Sequence, residues 1–279
     1  MAINRLRQPE DALFSKWGFQ KPRRPVLNKR HPLSFGLVGC WLLGDTATGI
    51  ITDLSESGND GAVAADPIAT VPSHHRGYAS QFDIAGGANQ YINIPNSASL
   101  NLIQVTVAAW VNYTGAGAFP RIVSKLATGA VDGYELLAFD LSSFPAFQIA
   151  KGGVINEARG SGTDLLRNQW QFVCGTYDGF EGRFYVNGEL RNNFFSTNAL
   201  GTTTTDINIA RWPNGTNPFP GGIEGVRVYN RGLTAAEVLQ LTIEPYAGIY
   251  DAIVDRKVVG TGITPPPPGG AYSYAEIWG

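Results

Sequence analysis

Cleaving a glycosidic bond takes two carboxylates flanking it, one acting as acid and one as base or nucleophile. On a β-strand two such residues must share parity, because successive side chains point to opposite faces. Glu135 and Asp140 differ in parity, so they are expected on opposite faces. Asp251 and Asp255 share parity but fall beyond the strand-rich region. The three histidines, His31, His74 and His75, complete no Ser–His–Asp grouping by spacing. In an extended segment His74 and His75 would point apart rather than converge on a metal, and a solvated loop is the plainer reading. On these residues the chain is expected to be a non-enzyme.

Aromatic residues offer a different chemistry. Trp41, Trp110 and Trp170 lie in apolar, strand-like runs and are expected in the core. Trp212 stands in the loop Arg211-Trp212-Pro213-Asn214-Gly215, close to Phe219. Sugar sites pair an aromatic platform with a few polar groups, so Trp212, Asn214 and Phe219 are candidate glycan contacts. The alternative is simple packing of the loop.

The elements that must position these residues are strands. The 279 residues include 34 Gly and 17 Pro, with 43% hydrophobic and only 16% charged residues. Many turns and few charges suit short strands in an all-β sandwich, a class that uses 200 or more residues as one domain. Val105–Val111 is the strongest core strand. Others are expected at 36–43, 90–94, Arg121–Lys125, Tyr134–Phe139, Phe147–Ala150, Trp170–Tyr177, Gly182–Val186, Asp206–Ala210 and Gly222–Tyr229. Asn187-Gly188 signals a tight hairpin. Thr234-Ala235-Ala236-Glu237 is a capping box that predicts one short late helix. Cys40 and Cys174, both in apolar runs, are expected to be buried free thiols.

Charge divides the chain. Before His31, eight cationic residues face only Glu10 and Asp11, although the whole chain has net charge −2. Residues 1–30 therefore read as an extended basic arm, with one short helix near Glu10–Trp17. Residues 244–279 read as a second extended arm, stiffened by Pro265–Pro268 in a polyproline II spacer. Phe14, Trp17, Phe19, Arg23 and Arg24 at one end, and Tyr272, Tyr274 and Trp278 at the other, are candidate partner-binding residues. Net charge gives no nucleic-acid footprint, and no apolar run is long enough to span a membrane. Met1–Gln20 is polar and broken by Pro9, unlike a signal peptide, so synthesis in a cytoplasm is expected.

Several segments in order resemble the laminin-G-like branch of the concanavalin-A-like superfamily. They are Ser80-Gln81-Phe82-Asp83 with Tyr91-Ile92-Asn93-Ile94-Pro95, the strand containing Trp110, and Ile122–Lys125. Asn168 to Gly179, Phe184-Tyr185-Val186-Asn187-Gly188 and Gly222 to Glu237 complete the series. The resemblance implies an all-β, concanavalin-A-like jelly-roll β-sandwich at 31–243, with one short C-terminal helix between the two arms. Hydrolase relatives carry a Glu-x-Asp-x-x-Glu pattern that is absent here. Relatives also hold Ca²⁺ with an aspartate, a closing-strand acid and backbone carbonyls, which implies Asp83 and Glu224 as candidate metal ligands. Gly225 replaces a further acid, and the alternative is that Asp83 caps a turn. His31 to Trp41 is similar to the opening of bacteriophage proteins of this type. The expected role is a structural virion protein, a capsid decoration protein. Its expected partners are the major capsid or tail proteins and further copies of itself, as a homo-oligomer. The alternative is a glycan-binding module of a tail or fibre.

Overall fold

The structure, a computed structural model, describes residues 21–251 apart from 65–66, 76, 84–89, 116–118, 140–143 and 197–199. Phe14, Trp17, Phe19, Asp140, Tyr272, Tyr274 and Trp278 lie outside the described residues, as do the Pro265–Pro268 spacer and the helix expected near Glu10–Trp17. In chain order the strands are β1 (Pro25–Leu27), β2 (Leu37–Trp41), β3 (Ile50–Ile51), β4 (Gly61–Ala64), β5 (Ala69–Pro72), β6 (Tyr78–Phe82), β7 (Tyr91–Ile94), β8 (Val105–Tyr113) and β9 (Arg121–Leu126). They continue with β10 (Gly133–Leu137), β11 (Ala146–Lys151), β12 (Val154–Arg159), β13 (Trp170–Tyr177), β14 (Glu181–Val186), β15 (Glu189–Phe195), β16 (Ile207–Ile209), β17 (Gly221–Tyr229) and β18 (Ile249–Asp251). Among the described residues the α-helix, α1, is Ala235–Ile243.

Two antiparallel sheets face each other. One runs β12-β11-β10-β9-β16-β7-β4-β3, the other β15-β14-β13-β8-β17-β6-β5. β17 pairs β6 through its first residues and β2 through its last. The switch falls at a bulge after Glu224, where Gly225 adopts φ +63, a left-handed conformation that glycine takes without steric cost.

Alternation along β8 explains why every core layer meets there. Val105, Val107, Ala109 and Val111 face the other sheet and join Trp41, Phe82, Ile92, Tyr134, Phe147 and Phe184 in the main core. Ala108 and Trp110 point the other way, into a second cluster with Cys40, Phe172, Cys174, Tyr229, Val238, Leu241 and Tyr246. That second layer exists because α1 lays Val238 and Leu241 on the sheet's outer face. Of the three expected core tryptophans, Trp41 is central, Trp110 lies in the second cluster, and Trp170 is half-buried at its edge. Both cysteines are free and buried, and burial pushes the Cys40 thiol up to about 11.

The capping box forms as expected. Thr234 accepts from the Glu237 amide, and Glu237 reaches back to the Thr234 amide. Asn187 and Gly188 both take positive φ in the β14–β15 turn.

Packing begins before His31 and continues past residue 243. β1 pairs β18, with Pro25 opposite Asp251. Tyr246, Ala247 and Ile249 are buried, and the Arg227 guanidinium, itself buried, donates to the carbonyls of Pro245 and Ala247 at 2.7 and 3.0 Å. Arg23 and Arg24 are exposed.

Candidate functional site

Cross-strand register builds a polar row over the outer face of the β12–β3 sheet. Glu157 stands opposite Gln148, Gln148 opposite Glu135, and Glu135 opposite Ser124. Ser124 stands opposite Asn208, and Asn208 opposite Asn93. Directly opposed residues on neighbouring strands share a face, so six polar side chains cross six strands in line. Hydrogen bonds join the members in groups. Gln148 donates to Glu157 at 2.8 Å, Ser124 to Glu135 at 2.9 Å, and Asn208 to Asn93 at 2.9 Å. Asn93 in turn donates to Asp206 at 3.0 Å.

Two arginines close the row. Arg121 meets both oxygens of Glu135 at 3.2 Å, and Arg211 donates to Asn208 at 3.0 Å. Each also lies over an aromatic ring, Arg211 on Tyr91 (3.1 Å to the centroid) and Arg121 on Trp212 (5.3 Å). Glu135 is fully buried, and that burial raises its carboxyl above the usual range, against the opposing pull of Arg121 and Ser124. Its Arg121 and Ser124 bonds leave it enclosed in the protein. At the rim, Tyr91, Asn93, Arg121, Glu157, Arg211 and Trp212 remain partly exposed.

The three expected glycan contacts separate. Trp212 reaches this rim, its indole N–H donating to the Leu126 carbonyl at 3.3 Å. Asn214 is exposed at the loop tip, where its side chain accepts from the Thr216 amide and hydroxyl. Phe219 is the correction. It is fully buried in the main core, 5.8 Å from the Tyr113 ring, because the chain turns inward there to begin β17. The row itself was invisible in the sequence, where its members lie scattered between Asn93 and Asn208.

The expected calcium ligands also separate. Ser80 pairs with Ile223 and Phe82 with Gly221, so Asp83 and Glu224 sit at opposite ends of that ladder, about 13 Å apart along the strand. Asp83 is exposed, and its amide donates to Gln90. Glu224 is 1% exposed and accepts from the Tyr246 hydroxyl. Among the described residues no group of three or more His, Cys, Asp or Glu side chains is placed to hold a metal.

Carbonyl oxygens do converge beside Glu224, but on an amine. The Lys21 ammonium donates to the carbonyls of Leu42 (2.9 Å), Leu43 and Tyr78 (2.7 Å). Partial burial lowers it to about 8, opposed by Glu224 and Asp45. With Lys21 seated and Asp83 remote, these residues do not fit a bound calcium ion.

His74 and His75 do not point apart; His74 is exposed in a turn, as the loop reading expects, whereas His75 is buried. They lie in a turn, so strand alternation does not govern them. Both rings pack on Trp110, His74 stacked at 4.8 Å and His75 edge-on at 4.5 Å.

Sequence comparison with curated proteins gives no match. Solved structures share the fold. The binding domain of Paraclostridial Mosquitocidal Protein 1 superposes with a TM-score of 0.61 at 15% identity, over 75% of this chain and 52% of that one. Domain 4 of AbnA, an extracellular arabinanase of Geobacillus stearothermophilus solved with arabinotriose, gives 0.57 at 16% identity, over 74% and 98%. A structure of botulinum neurotoxin type C, whose cell entry depends on two ganglioside molecules, gives 0.58 at 11% identity, over 75% and 51%. The chain thus spans about half the length of the two toxin chains and nearly all of the arabinanase domain. At these identities the likeness is one of fold. In sequence, the family model for the concanavalin A-like lectin/glucanases superfamily matches residues 86–239, more than half of the chain, and to that superfamily the chain belongs.

Proposed function

We propose that this chain is a non-catalytic carbohydrate-binding sandwich, acting as a recognition module within a larger assembly. The observation that carries the reading is the polar row with its paired arginine–aromatic rim, Arg211 on Tyr91 and Arg121 beside Trp212. Hydroxyl-rich ligands need donors and acceptors held in fixed positions next to an apolar platform. The fold neighbours add support, since the arabinanase domain was solved with arabinotriose and the neurotoxin's cell entry depends on gangliosides. Against hydrolysis, Glu135 is enclosed by Arg121 and Ser124 and cannot reach a substrate without breaking that pair. The test is a glycan panel read in two ways, by retention of the protein and by release of reducing ends. Binding without release supports the reading; turnover overturns its non-catalytic part.

A second reading, a structural role in a virion as a capsid decoration protein, is favoured by the β1–β18 ribbon. Pro25 opposite Asp251 brings the chain into β1 and out of β18 at one end of that ribbon. Two extensions fastened at one point suit attachment to a single neighbouring surface, and the body is left free for recognition. Deleting residues 1–20 and 252–279 together is expected to leave a folded sandwich that no longer joins particles. Undiminished particle occupancy contradicts the attachment role.

A further inference from the structure

We propose that Lys21 is a built-in cation. Its ammonium fills a hard-cation socket made by the carbonyl oxygens of Leu42, Leu43 and Tyr78 beside Glu224, and so latches the segment preceding β1 onto the sandwich. The socket accepts a divalent cation of the calcium type once Lys21 is removed.

The geometry saturates the ammonium. An ammonium has three N–H donors, and here each meets one main-chain carbonyl. Carbonyl oxygens turned toward a common point repel one another unless positive charge sits between them. Calcium is bound by about six to eight oxygens at about 2.3–2.6 Å, so the three carbonyls would supply part of its shell and the Glu224 carboxylate and water would have to complete it.

The surrounding charge points the same way. One oxygen of Glu224 takes the Tyr246 hydroxyl; the other is buried with no hydrogen-bond partner among the described residues. The Lys21 ammonium acts electrostatically on this carboxylate and on Asp45. Without it, the free oxygen of Glu224 and the converging carbonyls would lose that positive charge, whereas Asp45 is exposed to solvent.

The local sequence is shaped around the amine. Gly44 has φ +94, and a Cβ there would lie 2.0 Å from the Tyr78 oxygen and 3.0 Å from the Lys21 nitrogen. The Lys21 stem packs over Gly77, where a Cβ would fall 3.1 Å from the lysine's own. The Lys21 amide adds a bond to the His75 carbonyl at 3.2 Å. Main chain, stem and head group all hold this one residue. The Leu42 carbonyl also takes the Gly225 amide at 3.3 Å, which ties the socket to the β17 bulge. Lys21, Arg23, Asp45 and Tyr78 line a cavity of about 620 Å³, which gives a solvent ion access.

The experiment compares wild type with Lys21→Met in the full chain. Thermal melts and titration calorimetry are run with Ca²⁺ alone as probe, against chelator. Lys21→Met is expected to melt lower than wild type, to bind Ca²⁺, and to recover stability in millimolar Ca²⁺. Wild type is expected to show no Ca²⁺ response. A folded Lys21→Met that ignores Ca²⁺, or a wild type that binds it equally, overturns the proposal. Competitive acetylation of wild-type lysines, each rate corrected for that lysine's measured neutral-amine fraction, decides the matter if the variant does not fold. Per neutral amine, Lys21 is expected to react at least about tenfold more slowly than Lys29, whose side chain is 71% exposed. Equal rates contradict the latch.

Discussion

Arg121 grips both carboxylate oxygens of Glu135 across the β9–β10 ladder, and Glu135 has no solvent exposure at all. A buried ion pair of this kind matters most when it is broken, since the surviving charge is then stranded in a low-dielectric site. Arg121→Met is expected to destabilise the sandwich by about 3–5 kcal/mol in urea unfolding. Adding Glu135→Leu to that variant is expected to restore much of the loss. A single substitution costing under about 1 kcal/mol, the range of exposed pairs, contradicts the structural role of the pair.

The histidine turn sets an acid limit. Burial and the neighbouring His74 hold His75 down at about 4, against an ordinary 6.5. The groups around it are His74, Trp110, Tyr246 and, through His74, Glu224. The unfolded chain takes up the His75 proton near 6.5, and the folded chain only near 4. Stability from this residue is therefore complete above 6.5 and falls as pH drops from 6.5 toward 4. His75→Gln is expected to flatten that part of the stability profile. Chemical denaturation at half-unit pH steps measures it, and an equally steep fall in the variant contradicts the assignment.

Arg227 holds the exit segment to the body. Its guanidinium bonds the carbonyls of Pro245 and Ala247 from a fully buried position, with the Tyr229 hydroxyl at 3.4 Å. Arg227→Met removes both tethers and leaves two carbonyls without donors. Residues 244–251 are expected to lose amide-exchange protection selectively, along with β1, which pairs them. Protection retained in this segment contradicts the tether.

Much of the fold was legible in the sequence because it rests on local rules. An apolar run placed Val105–Val111, Asn187-Gly188 placed a turn that requires positive φ, and Thr234 with Glu237 placed the helix start. The sites were legible only in part. The row from Glu157 to Asn93 depends on register between strands far apart in sequence, and no spacing rule encodes register. Main-chain carbonyls make the Lys21 socket, and any residue type supplies those. Phe219 misled because its neighbours Asn214 and Thr216 are loop-like, whereas the chain has already turned into the core. The loop expected at His74 and His75 is there, but burial of His75 depends on contact with Trp110, a residue distant in sequence.

Carbohydrate binding at the polar rim is tested most directly by affinity measurements on wild type, Trp212→Ala and Arg211→Ala, using any saccharide that the glycan panel identifies. Both residues are partly exposed, so a melting-temperature check can separate lost binding from lost fold. Saturable binding by wild type, weakened about tenfold or more in each folded variant, is the expected result, corresponding to about 1.4 kcal/mol at the rim. Failure of wild type to bind any saccharide in the panel, or binding that both variants retain undiminished, would contradict it.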